Sequence, residues 1–364
     1  MSYIPDPTTN KKGGEKMYIG IDLHKETCYA TTLDKKGEIV DRREFKNERE
    51  EWEKFVEGIP RDSKVAIEAC SYWYPVCDFL EERGIEMVLS HPSKTRIIAE
   101  AKIKTDKIDS KNLAKLLRAD FLPRSYIPSK EIRENRELLR LRVQLGKDRT
   151  VVKNRIHALM AKNGVKHEFS DLFGVEGMKF LKEIELAESQ RIALDVLLRQ
   201  LESVDKEVEY VQKRIAIVAK GDEVVIILMT IPGIDYYSAM IIKNEIGEIE
   251  RFPGYKELCS FAGLVPRVHQ SGNTRWEGHI TKEGNALLRW ILIQAVHQVV
   301  RYPGELRKFY LRLKKQKGTK IAVVATARKL LRVIYCMLTR KENYRYERKA
   351  LTESKLKKLE KTAC

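Results

Sequence analysis

The chain has 364 residues (42.3 kDa), with 69 Lys and Arg against 52 Asp and Glu, a formal net charge of +17 at pH 7. That length suggests two or three domains, and 43% hydrophobic residues with 15 Tyr, 10 Phe and 4 Trp exclude a disordered chain. So large a surplus of cations points to a polyanionic partner, nucleic acid first, because Lys and Arg gain affinity by displacing counterions from phosphate.

Residues 1–16 read as a disordered tail without the apolar core of a secretory signal. From Met17 the strand patterns MYIGIDLHK, CYATTLD and EIVDRREF follow closely, with a turn signal at Lys36-Gly37, and predict an antiparallel meander. Next come a polar helical run (NEREEWEKFVEGI), the strand SKVAIEAC, a helix ending at Gly84, the strand EMVLSHP and a helix around DKIDSKNLAKLLRAD. Strands alternating with helices imply parallel pairing and helix-covered faces. Residues 17–125 are therefore expected to form an α/β domain of order β-β-β-α-β-α-β-α.

After Pro128 long helices are predicted. Residues 130–163 interleave Arg133, Arg136, Arg140, Arg142, Lys147, Arg149, Lys153 and Arg155 with Leu138, Leu141, Leu145, Val152, Ile156 and Leu159. Leu197, Leu201, Val204, Val208, Val211, Ile215 and Val218 recur at alternating spacings of 4 and 3, the a/d signature of a coiled coil. That stripe serves equally as a core face inside one chain or as a dimer seam. Residues 126–220 thus read as a helical, coiled-coil linker.

Residues 221–345 read as a mostly helical unit: EVVIILMTI, Pro232-Gly233, YYSAMIIKNEIG, a Gly-punctuated loop (LVPRVHQSGNTRWEGHITKEGN), then ALLRWILIQAVHQVV. Residues 346–364 read as a basic tail. Apolar stretches such as 224–229 and 321–327 fall short of the ~18 residues of a membrane span. The six Cys are scattered without a C-x-x-C pair, against structural disulfides or a Cys-held metal. A soluble, reduced, cytoplasmic protein is expected, with no membrane partner.

Four acids stand out. Asp22 lies between apolar residues in the first strand run, where a carboxylate needs a partner. Glu68 is near the end of the fourth strand, and Asp106 and Asp109 are neighbours on the first turn of a helix, where a helix N-terminus favours carboxylates. For any one of them a salt bridge is the simpler account, to Lys25 or Lys104 in the case of Asp22. Together, in the order D, E, D-x-x-D in a basic chain, they favour hard-cation binding by Mg²⁺ or Mn²⁺. Two such ions stabilise the attacking and leaving oxygens of a phosphodiester.

On GIDLHK, VAIEAC and HPSKTRIIAEAKIKTDKIDSKNLA, the N-terminal part resembles the RuvC-like, RNase H-fold domain of the DEDD insertion-sequence transposases, the IS one-ten family. The resemblance implies that Asp22, Glu68, Asp106 and Asp109 are its catalytic, metal-binding acids. IPGIDYYSAMIIKNEIG resembles the family's helix-hairpin-helix-like segment, with Asp235 where such a hairpin often has a second glycine. FAGLVPRVHQSGNTRWEGHITKEGNALLRWIL resembles its signature region, which implies a serine nucleophile at Ser271. The likeness runs from about Met17 to about Tyr344.

The family reading implies a phosphoserine link to DNA, formed by the serine of one subunit over the acids of another, hence a homodimer or homotetramer. It also implies donor and target DNA paired by a structured non-coding bridge RNA. Arg267, Arg275, Lys282 and Arg289 read as nucleic-acid backbone contacts, which position without specifying sequence. Nothing resembles a helix-turn-helix, zinc finger or basic zipper. The competing readings are a RuvC-like, structure-specific endonuclease using water, which does not need Ser271, and a non-catalytic nucleic-acid scaffold.

Overall fold

The computed structural model describes residues 16–98, 105–271 and 274–364, with 268–271, 274, 275 and 277 given by backbone alone. Lys104 and the tail read at 1–16, apart from Lys16, lie outside the described residues. The chain divides into two units after Ile127.

In the first unit, β1 (Tyr18–Leu23), β2 (Thr27–Leu33) and β3 (Ile39–Lys46) form the antiparallel meander, with Gly37 turning at φ +94° before β3. After α1 (Arg49–Val56), β4 (Lys64–Glu68) returns parallel to β1; after α2 (Trp73–Glu82), β5 (Glu86–Ser90) adds parallel to β4. The sheet order is β3-β2-β1-β4-β5, which makes β1 central. The short α3 (Pro92–Ile98) is an addition to the expected order, opened by a proline at its first position, and α4 (Asp106–Arg118) closes the unit.

Ile19, Ile21, Val65 and Ile67 pack with Trp52, Phe55, Phe79 and Leu80 of α1 and α2 on one face of the sheet. Ala66 and Val88 pack with Leu113 and Leu117 of α4 on the other. Alternation puts Gly20 and Asp22 on the α4 face. Gly20 lets the helix rest on the strand backbone beside Ser110 and Ala114, and a buried hydroxyl pair, Thr31 to Ser110 at 2.8 Å, ties α4 to β2. Tyr18 packs beside Leu113 and Leu117. The helix therefore runs opposite to β1 and brings its first turn towards Asp22.

The second unit opens with α5 (Lys130–Lys162), α6 (Val175–Glu183) and α7 (Glu188–Ala219). Asn163 meets Gln190, Arg149 meets Asp205 and Arg142 meets Gln212, so α5 and α7 lie antiparallel. Much of the a/d stripe is covered inside this unit. Leu201 packs with Val152, Ile156 and Met160 of α5, and Val211 and Ile215 join the main core with Leu139, while Val218 is exposed. That core is built from α8 (Glu223–Met229), α9 (Tyr236–Ile246), α10 (Tyr255–Phe261), α11 (Ala286–Val299), α12 (Glu305–Lys317) and α13 (Thr319–Arg340).

Two expectations need correction. The segment read as a Gly-punctuated loop contains a hairpin, β6 (Pro266–Ser271) and β7 (Thr274–Ile280), in which Ser271 pairs with Thr274 across a two-residue connection. Its strands are polar, so no apolar alternation announced them, yet a two-residue link is the commonest hairpin connection. The stretch read as a basic tail forms α14 (Lys349–Ala363), with Leu359 buried in the main core. Among the described residues no helix is long and apolar enough to cross a membrane.

Candidate metal centre and serine hairpin

Asp22 is the penultimate residue of β1 and Glu68 the last of β4. Because these strands are parallel neighbours, both carboxylates emerge at the carboxyl end of the pair, where open α/β sheets place their ligands. α4 begins at Asp106, after its cap residue Thr105 accepts a hydrogen bond from the Ile108 amide at 3.3 Å. That cap fixes the helix start, and with it Asp106 and Asp109, at the same edge.

The four acids share one field. Burial raises the Asp22 carboxyl above its usual range; the imidazole of His24 opposes the rise, and the charges of Asp106, Asp109 and Glu68 add to it. His24 Nε2 lies 3.4 Å from Asp22 Oδ2 and 3.6 Å from Asp106 Oδ2. These donor atoms all fall within 4.8 Å of one another. Asp22 is 18% exposed and Asp106 59%, so the cluster opens to solvent on the α4 side. Two carboxylate oxygens and an imidazole nitrogen so close together fit a divalent metal ion, whose charge removes the repulsion that raises Asp22.

Among the described residues the side chain that meets the Asp22 carboxylate is that of His24, and Lys104, the other partner considered, lies outside them. Sequence reasoning missed His24, although the signal was present: in an extended chain the first and third residues of Asp22-Leu23-His24 share a face.

The serine lies in the second unit. Ser271 closes β6 at the hairpin tip, with Arg275 opposite Gln270 on β7. Arg267 is exposed on β6, 3.8 Å from Glu283, and Lys282 follows β7 in a left-handed conformation, φ 56°. The hairpin therefore gathers Ser271, Arg267 and Arg275, with Lys282 at its foot. Arg289 has a role in the fold, donating to the Ala262 carbonyl from α11 at 2.9 Å.

Below the hairpin sits a buried charge network that the sequence reading passed over. Glu245, 2% exposed, accepts from Asn285 at 2.5 Å and from Arg140 at 3.3 Å. Arg136 donates to the Asn244 carbonyl at 2.8 Å and approaches the Glu245 carboxylate at 4.0 Å. Asn285 also caps α11, accepting from the Leu288 amide at 2.8 Å. The start of α11 is thereby tied to α5 and α9. Asp235, where a hairpin glycine was expected, caps α9 by accepting from the Ser238 amide at 2.9 Å.

Comparison with known proteins bears on what these sites do. Residues 19–163 match the DEDD transposase profile of the IS110 type, and residues 226–311 match the profile described as transposase IS116/IS110/IS902 family. The chain is 26% identical over 339 residues to the transposase for insertion sequence element IS1111A of Coxiella burnetii, covering 90% of this chain and 91% of that protein. It is 25% identical over 338 residues to a probable family 20 transposase of Pseudomonas aeruginosa, covering 90% and 98%. A shorter stretch of 116 residues is 35% identical to the pilin gene-inverting protein of Moraxella bovis, covering 31% and 36%. A non-catalytic scaffold is set aside by this kinship: the chain belongs to the IS110 family of DEDD-type insertion-sequence transposases, enzymes that cleave and rejoin DNA.

Proposed function

We propose that this transposase cuts and rejoins DNA with Asp22, Glu68, Asp106 and Asp109 holding Mg²⁺ or Mn²⁺ and with Ser271 as the nucleophile. The observation that supports the reading is Asp22 of β1 beside His24 and Asp106 of α4, with the charges of Asp109 and of Glu68 at the end of β4 near enough to add to the burial that raises Asp22. Such an assembly is costly without a cation between its members. The sheet order, three antiparallel strands followed by two parallel ones, supports an RNase H-like first domain.

When bound, divalent ions neutralise charge on the scissile phosphate and on its entering and leaving oxygens. The protein's own part is to present the hydroxyl. Ser271 Oγ attacks phosphorus and gives up its proton; one P–O bond to the DNA strand breaks and that oxygen leaves as a hydroxyl. The phosphoserine ester keeps the phosphodiester energy, so attack by a hydroxyl of the second strand restores Ser271 and rejoins DNA without ATP. Arg275 near the serine, with Arg267 and Lys282 towards the hairpin's foot, hold the DNA backbone; Arg289 spends one N–H on Ala262 and adds charge with the rest.

A serine of one subunit meeting the acids of another calls for a homodimer or homotetramer. A charge of +17 without a sequence-reading motif suits readout delegated to a structured non-coding guide RNA pairing with donor and target DNA. The site of action is the chromosome, in the cytoplasm of a prokaryotic cell. The test is a denaturing gel with end-labelled donor DNA, guide RNA and Mg²⁺: wild type is expected to leave a covalent protein–DNA adduct, and Ser271→Ala none. Strand cleavage that persists undiminished in Ser271→Ala moves the assignment to the water-using endonuclease.

A further inference from the structure

Trp276 stands on β7 and is, at 60%, the most exposed of the chain's four tryptophans. An indole in that position keeps a large flat apolar area in water. Its register gives the place significance. Trp276 pairs with His269, and Ser271 lies two residues further along β6. Directly opposite residues share a face of a hairpin, as do residues two apart in one strand, so Trp276 and Ser271 lie on the same face. Diagonal neighbours of this kind are about 7–8 Å apart, within reach of an aromatic side chain.

The ring is also seated. Its six-membered half lies against Gly278, two residues on, so closely that a Cβ there would stand 2.7 Å from Trp276 Cη2 and 2.9 Å from Cζ3. The φ of Gly278 is not positive, so its backbone conformation does not call for glycine. What glycine permits here is the close approach of the indole. A side chain already held on one side loses less freedom when a ligand stacks on the rest of it.

Exchange of strands at a phosphate parts the nucleobases beside it from their first partners, and an unstacked base recovers contact on an aromatic ring. Such stacking tolerates any sequence, because every base has a π face. We propose that Trp276 is the stacking platform for the nucleobase beside the scissile phosphate, a positioning residue that holds the strand across Ser271. This role rests on Ser271 being the nucleophile. The occupant is a base of the DNA strand being cut, not of a guide RNA, because the ring shares its hairpin face with the serine and the serine meets only the strand it attacks.

The experiment is a cycle of protein and DNA changes, read as binding of the full chain with guide RNA to donor DNA. The DNA is intact or lacks the nucleobase on one or the other side of the bond to be cut at the element's end. At one of the two positions, base removal and Trp276→Leu are each expected to weaken binding about 10-fold, the range of one base–aromatic stack, and together no further. Trp276→Phe should stay within about 3-fold of wild type on intact DNA, because a phenyl ring still stacks. Leu still covers Gly278, so a purely structural ring predicts wild-type binding by Trp276→Leu. That result, or losses that multiply at both positions, overturns the platform, as does coupling to a base removed from the guide RNA instead. If the Leu variant does not fold, 5-iododeoxyuridine at the two positions decides: irradiation of the wild-type complex should cross-link one of them to Trp276, and no such cross-link overturns the proposal. Neither readout needs a covalent step by the serine. A missing protein–DNA adduct therefore counts against Ser271, and missing coupling against Trp276.

Discussion

Gly20 of β1 presses on Ser110 of α4 so tightly that a Cβ at Gly20 would stand 2.1 Å from the Ser110 carbonyl oxygen and 2.4 Å from the Ala114 amide nitrogen. Both neighbours are backbone, so neither can swing aside. Gly20→Ala must push the helix off the sheet, a form of overpacking at the severe end, about 3 kcal/mol or more. Because α4 starts at Asp106, the same shift spreads the acids. Urea unfolding followed by the first unit's tryptophans, Trp52 and Trp73, should show the loss, and Mn²⁺ titration calorimetry a weaker affinity. Unchanged values in both would mean that α4 does not set the spacing of the site.

Asp22→Asn should stabilise the metal-free protein at neutral pH. The wild-type carboxyl sits above its usual range, so the folded chain holds that proton more tightly than the unfolded one. Stability from this group is present at low pH and lost as pH rises through the folded value. Ionised Asp22 is then a cost that the amide removes. Scanning calorimetry in EDTA is expected to give the variant the higher midpoint, and added Mn²⁺ to raise wild type but not the variant. A lower midpoint for Asp22→Asn in EDTA counts against electrostatic crowding at the cluster.

Much of this was legible in local patterns. The meander announced itself through short β-rich runs and the Lys36-Gly37 turn, and the D, E, D-x-x-D order sat on strand ends and a helix start that periodicity located. What escaped depended on distant partners. The a/d stripe of 197–218 had two readings until Leu201 was seen packed on α5 and Val211 and Ile215 in the main core. The segment 346–364 is charge-rich and looked like a tail, but its helix docks because Lys355 reaches carbonyls more than 100 residues earlier. His24 was visible in GIDLHK, yet its nearness to Asp106 is a tertiary fact. Glu245 reads as a helix-end acid until Arg140 and Asn285 close around it.

That network yields a prediction for the second unit. Glu245 is almost wholly buried with charged and amide partners from α5 and the start of α11. Glu245→Ala leaves Arg136 and Arg140 facing a void, a change worth about 3–5 kcal/mol when a buried pair is broken. A double-mutant cycle of Glu245→Gln with Arg140→Met is expected to show coupling of about 0.5–3 kcal/mol, towards the low end because Arg140 is half-exposed. Strictly additive effects would mean that Asn285 and Arg136, rather than Arg140, hold the carboxylate.

His24 distinguishes this acid cluster from an all-oxygen site. With its Nε2 3.4 Å from Asp22 and 3.6 Å from Asp106, an ion bound by these carboxylates also meets the imidazole. Nitrogen ligation shifts preference along the divalent series, away from Mg²⁺ and towards Mn²⁺ and the later metals. Pulsed electron paramagnetic resonance of the Mn²⁺-loaded protein is expected to show ¹⁴N coupling in wild type and to lose it in His24→Asn, with Mn²⁺ affinity falling about 10-fold as an inner ligand is removed. Binding without ¹⁴N coupling would remove His24 from the ligand set while leaving the acids in place. Failure of Mn²⁺ to bind at all would count against the metal centre itself.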